Sequence, residues 1–260
     1  MKRPIPLLLF TTFTLIILAI QVVLADDSGE SMIYLPFMTQ SGLDCNVPGT
    51  SYDSLPIIPP PTDSPAEEHG DLNLALRSYE PTTADLHLQD VGGDIDPNAP
   101  QLDALFSDHR PPDFSNAYQV HRWNWTCHCQ AEVYTNPEVT HLGMTVTPGE
   151  TIHVPDSGYN IGPSGEEVLV LYASEERITL KYTREDNVVF GYTIHIENIC
   201  VEPDLLALYR SWNEAGRDEL PALRGGQAIG RAYDDEISVS VRDTGAFLDP
   251  RVRKDWWQDH

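Results

Sequence analysis

Alternation of apolar and polar residues dominates the second half of the chain. Such period-two patterns are typical of strands whose two faces meet different surroundings. The predicted strands are His141–Thr147, Thr151–Val154, Val168–Tyr172, Arg177–Thr183, Val188–Glu197 and Glu236–Arg242. The pattern therefore predicts a mainly β protein.

Residues 203–215 depart from this alternation. Apolar residues recur there at three- and four-residue spacing, as on one face of a helix. The members of this face are Leu205, Leu208, Tyr209 and Trp212. Pro203 fits the first helical turn and Gly216 fits the helix end. The sequence predicts one helix in this segment.

Shorter periodic segments precede these elements. Residues 71–77 and 84–89 alternate and predict two half-buried strands, and residues 118–127 alternate again. We expect a smaller β-rich module over residues 69–148 and a second module over residues 149–260.

The N-terminus has the features of an export signal. Lys2 and Arg3 precede an apolar run that ends at Val23-Leu24-Ala25, so residues 1–25 are predicted to be a signal peptide. The run is also long enough for an uncleaved membrane anchor, which is the alternative. Both interpretations place the rest of the chain outside the cytoplasm, and only this segment would contact a membrane.

Residues 26–68 have a different composition. Proline, serine, threonine and aspartate dominate, and such a segment buries little apolar surface. We interpret it as an extended linker.

The acidic charge of the chain excludes some functions. Its 40 acidic and 16 basic side chains give a formal net charge of −24. Such a surface repels phosphate backbones, so we expect no nucleic-acid partner. No glycine-rich phosphate loop is present, and we expect no nucleotide cofactor.

Four cysteines are candidates for disulfides, because an even set in an exported chain favours pairing. Cys127 and Cys129 would share one face of a strand, with His128 on the other. We expect one or both to bond with Cys45 or Cys200. A metal site at Cys-His-Cys is the weaker alternative, since no second cluster of such ligands occurs.

Short motifs between residues 149 and 250 resemble the lysostaphin-type zinc endopeptidases. The closing hairpin of that family starts with His-x-His and ends with a hydrophobic residue before Asp/Asn-Pro; here Glu236 and Ser238 take the histidine positions. Leu223–Gly230 is similar to the family's Val-x-x-Gly-Gln-x-Ile-Gly. Leu208–Trp212 is similar to its Leu-Tyr-Ala-His-Leu, with Ser211 at the histidine.

The family's first metal motif, His-x-Gly-x-Asp, is similar to Asp156-Ser-Gly-Tyr-Asn160. The resemblance implies a duplicated-hybrid-motif β-barrel or sandwich in which every zinc ligand has been replaced. The replaced positions are Asp156, Asn160, Ser211, Glu236 and Ser238. Zinc catalysis needs about three protein ligands and an open position, so we expect no zinc and no catalysis. Oxygen ligands allow weak calcium binding at most.

The resemblance implies a non-catalytic cell-envelope protein that binds peptidoglycan or another envelope protein. Two alternatives stay open. A metal-dependent peptidoglycan hydrolase could use a relocated site built from His153, Asp156, His195 and Glu197. A carbohydrate-binding module would need Trp256 or Trp257 exposed and flat.

Overall fold

The computed structural model describes residues 43–260, so the predicted signal peptide and the start of the predicted linker lie outside the described residues. The described chain is mainly β, as the alternation predicts. The strands are β1 (Asp53–Pro56), β2 (Tyr79–Pro81), β3 (Phe114–Asn124), β4 (Cys129–Val133), β5 (His141–Thr145), β6 (Thr151–His153), β7 (Glu166–Ala173), β8 (Arg177–Lys181), β9 (Tyr192–Glu197), β10 (Ile199–Val201), β11 (Glu219–Arg224), β12 (Ala228–Ala232), β13 (Glu236–Asp243) and β14 (Ala246–Leu248). The helices are α1 (Pro203–Glu214) and α2 (Arg253–Trp256), with 3-10 turns at Ala66–Glu68, Leu74–Leu76 and Leu102–Leu105.

These strands form two antiparallel sheets. The larger sheet has the order β1-β11-β7-β8-β9-β13-β5-β3-β2, with β14 beside β13 and β4 beside β3; the smaller has the order β10-β12-β6. The predicted boundary between residues 148 and 149 does not follow this arrangement, because β3 and β5 lie in the same sheet as β13. Strand β5 joins this sheet because Leu142 and Met144 extend the buried apolar face of β13.

The central strands build the core with one face. Ile194 and Ile196 of β9 lie with Val239 and Val241 of β13, and none of them exposes any surface. Burying one such side chain stabilises the fold by about 1.5–3 kcal/mol.

Helix α1 confirms the predicted helix. The Glu202 carboxylate accepts a hydrogen bond from the Leu205 amide at 2.9 Å and caps the first turn. Pro203 has no backbone N–H and therefore leaves no unpaired donor in this turn. Gly216 follows the last turn with a φ of +101°, a conformation that suits glycine. The helix packs on β7 and β11. Within residues 43–260 neither helix combines the length and apolar character needed to cross a bilayer.

Two predicted strands are wrong. Residues 71–77 contain a 3-10 turn, and residues 84–89 form only an isolated bridge from Gln89 to Val252. Leu72 and Leu74 are nevertheless buried. The alternation in residues 71–77 therefore reflects packing of a covering segment onto a sheet, without the ladder of hydrogen bonds that defines a strand.

The proline-rich segment is folded from residue 43 onwards, which differs from the extended linker that its composition predicts. Strand β1 pairs with β11, and Ile57 is buried. The prolines do not prevent this, because β1 lies at the edge of the sheet and needs partners on one side only.

The cysteine pairing differs from the prediction. Cys45 bonds to Cys200, and Cys127 bonds to Cys129, each pair with Cα atoms 5.3 Å apart. Cys127 lies in the turn between β3 and β4, and His128 has a φ of +50°. A turn at this point brings the two thiols together, whereas a continuous strand would have directed both at another element.

The C-terminal tail is fixed by its tryptophans. Trp256 and Trp257 are 1% and 0% exposed. Their indole N–H groups donate to the carbonyls of Asp249 and Pro250 at 2.8 and 2.9 Å. The pair therefore anchors the tail to its own domain.

Candidate functional site

The larger sheet has a second buried face, which we call the polar face. It consists of the residues of β8, β9, β13 and β5 that alternate with the apolar core residues. Three rows cross these strands: the first has Arg177, Glu197 and Ser238; the second has Thr179, His195, Ser240 and His141; the third has Lys181, Thr193 and Arg242. All of these residues except Arg177 are buried. Residues opposite each other on neighbouring strands are close enough to interact directly.

The hydrogen bonds of Ser240 determine the protonation of His141. The Ser240 hydroxyl donates to the Thr140 carbonyl at 2.7 Å, so it has no second proton to give. It therefore accepts the hydrogen bond that joins it to Nδ1 of His141 at 2.8 Å. Nδ1 carries the proton, and Nε2 is a bare acceptor without a partner in the described residues.

His195 of β9, the strand next to β13, has the same arrangement. The Thr179 hydroxyl donates to the Leu72 carbonyl at 2.7 Å and accepts from Nδ1 of His195 at 3.0 Å. Nε2 of His195 is again a buried acceptor without a described partner. Two imidazoles on either side of Ser240 therefore share one tautomer.

Burial keeps both imidazoles neutral. It lowers the pKa of His141 to about 3. It also lowers the pKa of His195 well below its ordinary value, and the positive charges of Arg242 and Arg77 lower it further.

Two other polar atoms of this face also lack hydrogen-bond partners among the described residues, Nζ of Lys181 and Oγ1 of Thr193. Nε of Arg177 and Oε1 of Glu197 make no hydrogen bond of good geometry, but they form an ion pair with each other at 3.5 Å. Burial lowers the pKa of Lys181 to about 8, and burial raises the pKa of Glu197 although Arg177 opposes this. An unsatisfied buried group costs about 1–3 kcal/mol. These buried polar groups therefore lower the free energy of unfolding.

Residues 71–79 and Phe247 cover the polar face. The Leu72 carbonyl receives the Thr179 hydroxyl, and the Tyr79 hydroxyl donates to Glu197 at 3.5 Å. The Phe247 ring lies 6.4 Å from the ring of His195. The cover closes the face to solvent, which accounts for the burial of its ionisable groups.

Asp71 holds the cover to the sheet. Its Oδ1 accepts from Arg77 at 2.5 Å and from Arg242 of the polar face at 2.8 Å. Burial would raise the pKa of Asp71, but the two guanidinium groups outweigh it and keep this pKa below the ordinary value. Asp71 is therefore a carboxylate that links the covering segment to β13.

The structure divides the predicted degenerate site. Glu236 and Ser238 lie on β13 with their side chains on the side of the polar face. The Glu236 carboxylate accepts from Ser115 and Asn116 and sits over Gly143, where a Cβ would meet it at 2.7 Å.

The other three predicted residues lie apart from this strand. Asp156 and Asn160 follow β6 of the smaller sheet, and Ser211 is exposed on α1. In the part of the chain that the structure describes, Asp156 and Glu236 share no hydrogen-bond partner. The expected five-residue cluster is therefore not supported.

Asp156 has a different partner that sequence patterns do not indicate. Its carboxyl group and Oε1 of Glu167 both lie beside Gly225. Oε2 of Glu167 accepts from the Ser157 amide and hydroxyl at 2.7 and 2.9 Å. Burial raises the pKa of Glu167, and the neighbouring Asp156 adds to this. The proximity of the two carboxyl groups therefore favours the protonated form of Glu167.

The residues present do not fit zinc. Within residues 43–260 no group of three histidine, cysteine, aspartate or glutamate side chains is arranged to hold a metal, whereas zinc needs about three protein ligands. The relocated site fails for the same reason. His195 and Glu197 share the polar face, but His153 is in β6, where its ring contacts the Leu105 carbonyl at 3.3 Å.

Sequence reasoning missed His141 and Ser240. Both residues lie in segments whose alternation is visible in the sequence, 141–145 and 236–242. The polar residues of these segments lie opposite each other because the two strands are neighbours in the sheet. Periodicity gives the face of each residue but not the order of strands.

Comparison with known proteins adds no assignment. No family model matches the chain, and a search of curated proteins finds no match.

Proposed function

We propose that this protein is an exported, non-catalytic cell-envelope protein whose β domain acts as a binding or scaffolding module. The observation that carries the proposal is the closed polar face. A hydrolytic site needs an open position for substrate and water, whereas His141 and His195 are neutral, hydrogen-bonded and covered by residues 71–79.

We propose a second register for the relation to the lysostaphin-type endopeptidases. His141-Leu-Gly143-Met-Thr145 starts like the family's His-x-Gly-x-Asp, and β5 lies beside β13. In this register His-x-His corresponds to Ser238 and Ser240. One histidine of the ancestral site then survives, and its Nδ1 binds the serine that replaces its neighbour.

In this proposed register, catalysis was lost while the polar face was kept. Threonine at 145 and serine at 238 and 240 cannot complete a histidine-rich zinc site. The remaining polar groups bind each other and the covering segment instead. Such a domain offers its outer surface, not its former groove, to peptidoglycan or to another envelope protein.

The two alternatives have less support. His153 does not share the polar face with His195 and Glu197, as a relocated metal site requires. Trp256 and Trp257 are buried, so they cannot stack on a sugar.

Zinc analysis of the chain without residues 1–25, together with a peptidoglycan digestion assay in added zinc, tests the loss of catalysis. We expect zinc far below one equivalent and no release of soluble fragments. Stoichiometric zinc that disappears in His141→Ala, together with peptidoglycan cleavage, would refute the proposal.

A pair of reconstruction variants separates the two registers. The first carries Thr145→Asp, Ser238→His and Ser240→His; the matched control carries Asp156→His, Asn160→Asp, Glu236→His and Ser238→His. We expect the first to gain zinc affinity and the control to gain none. The opposite result would favour the register with Asp156. Co-sedimentation of the unmodified protein with insoluble peptidoglycan then tests the binding role.

A further inference from the structure

A concave site lies outside the polar face. It is a pocket of about 280 Å³ lined by three segments of the chain, and three of its residues are tyrosines: Tyr159, Tyr182 and Tyr192. Tyr159 is 57% exposed, whereas Tyr182 is buried. The volume is just below the roughly 300–1,000 Å³ of sites for drug-sized ligands. It suits a small head group.

Most hydroxyl groups of this tyrosine pocket are already engaged as donors. Four of the five give their single proton to an acceptor of the protein, so they can offer a ligand only their lone pairs; the exposed Tyr159 hydroxyl is the exception among the described residues. The donor–acceptor pairs are Tyr182 to the Pro155 carbonyl at 2.7 Å, Tyr192 to Oδ2 of Asp96 at 2.8 Å, Ser157 to Oε2 of Glu167 at 2.9 Å and Thr183 to the Phe190 carbonyl at 3.5 Å. The lining is therefore rich in electrons and poor in donors.

The charge bonded to the lining is negative. The Asp96 carboxylate receives the Tyr192 hydroxyl, and no lysine or arginine lines the pocket in the described part of the chain. Asn98 supplies the one side-chain amide of the lining. An anion would find no positive charge here, and a sugar would find few donors for its own oxygens.

The three tyrosine rings of the pocket do not stack on one another. Among the described residues, none of the three tyrosines stacks on another, and only Tyr192 has an aromatic neighbour, the edge of Trp256 at 5.6 Å. Aromatic faces around a small cavity attract cations through the ring quadrupole, by about 0.5–2 kcal/mol per contact.

We infer that the tyrosine pocket binds an organic cation, a quaternary or alkylated ammonium head group. Tyr159, Tyr182 and Tyr192 provide the aromatic faces, and Asp96 provides the compensating charge. The binding is independent of the former groove, since the lining shares no residue with the polar face.

Titration with tetramethylammonium chloride, followed by calorimetry or by NMR shifts, tests this inference. The uncharged isostere 3,3-dimethylbutanol and the sugar N-acetylglucosamine are the comparison ligands. We expect measurable binding of tetramethylammonium and at least about tenfold weaker binding of the two neutral compounds, as electrostatic attraction to rings and carboxylate requires.

Four variants identify the contributors. Tyr159→Ala should weaken cation binding about two- to thirtyfold, while Tyr159→Phe keeps the ring and should retain it. Asp96→Asn keeps an acceptor for Tyr192 but removes the charge, so it should weaken binding of the cation only. Asp94→Asn is the matched charge control, because Asp94 is exposed two residues away.

Thermal unfolding confirms that each variant is folded before it is titrated. Absence of tetramethylammonium binding by the unmodified protein would overturn the inference. If 3,3-dimethylbutanol bound as tightly as tetramethylammonium, the site would be an apolar pocket. If N-acetylglucosamine bound more tightly than tetramethylammonium, it would be a sugar site. Either result would overturn the inference. Equal loss in Asp94→Asn and Asp96→Asn would show an effect of net charge and would also overturn it.

Discussion

The two faces of β8, β9 and β13 are buried to the same degree but by different means. On one face Ile194, Ile196 and Val239 pack in an apolar core, and each contact adds to stability. On the other face His195 and Ser240 lie under a covering segment, and several polar atoms have no described partner. Burial alone therefore does not distinguish the faces; the chemistry of what is buried does.

The two faces differ in what fold stability requires. Folding accounts for the apolar face, because any well-packed set of aliphatic residues would stabilise the sheet. It does not account for the polar face, because apolar residues of similar volume would be as stable or more stable there. The function proposed above, a domain derived from an enzyme, would supply a reason for these polar groups.

Asp71→Ala should have the largest effect on this comparison. It leaves Arg77 and Arg242 buried without their shared carboxylate, so the free energy of unfolding should fall by about 3–5 kcal/mol. Urea unfolding at pH 7 measures the change, and Asp94→Ala on the exposed surface is the control. A decrease of less than about 1 kcal/mol in the free energy of unfolding would show that the Asp71 carboxylate does not hold the cover.

A pair of alanine substitutions compares the faces directly. Ile196→Ala opens a cavity in the apolar core and should cost about 2–5 kcal/mol. Ser240→Ala leaves the Nδ1 proton of His141 and the Thr140 carbonyl unpaired and should cost about 1–3 kcal/mol. A larger loss in Ser240→Ala, measured by the same urea titrations, would reverse the ranking of the two faces.

The neutral state of His141 predicts a dependence of stability on pH. Its pKa in the folded protein, about 3, lies below the value of about 6.5 in the unfolded chain. The unfolded state therefore takes up the proton first, and stability is lost as the pH falls below about 6.5, by about 1.4 kcal/mol per pH unit. His141→Asn can still donate to Ser240 but does not titrate, so it should reduce the slope of this part of the curve, and His195 accounts for the slope that remains. An unchanged slope between pH 6.5 and 5 would contradict the neutral state of His141.

Lys181→Met should give the smallest change, and in the opposite direction. Lys181 is fully buried, and Nζ has no described partner. Its removal should stabilise the protein at pH 7 by about 1 kcal/mol. Because the pKa of Lys181 is lowered to about 8, the unmodified protein sheds this charge above pH 8 and gains stability there. The advantage of the variant should therefore shrink between pH 7 and pH 10, and a constant advantage would argue against a buried charge.

Local patterns predicted the helix and six strands of the second half, because there the period of the sequence and the hydrogen-bond ladder coincide; the short strands β10, β11, β12 and β14 were not predicted. They did not predict the cover: Leu72 and Leu74 alternate like strand residues although their backbone forms no ladder. They also could not show that the polar residues of β13 are buried, since alternation usually means that one face is in water.

The candidate site was predictable only in part. Glu236, Ser238, His195 and Glu197 do lie on one side of the larger sheet, as their positions in strands indicated. His141 joins them through its hydrogen bond with Ser240, 99 positions away in sequence, which no local pattern contains. The pairing of Cys127 with Cys129 depends on a turn that the strand pattern concealed.

The bond between Cys45 and Cys200 determines how mechanical load passes through the domain. It spans 155 residues of sequence and joins the start of the described chain to β10. Tension applied at the N-terminal side would cross directly from residue 45 to residue 200. The edge strand β1 and the covering residues 71–79 lie inside the closed loop and carry no load. Pulling on the leader side, as an anchored chain would experience, therefore cannot peel the cover from the polar face while this bond is intact.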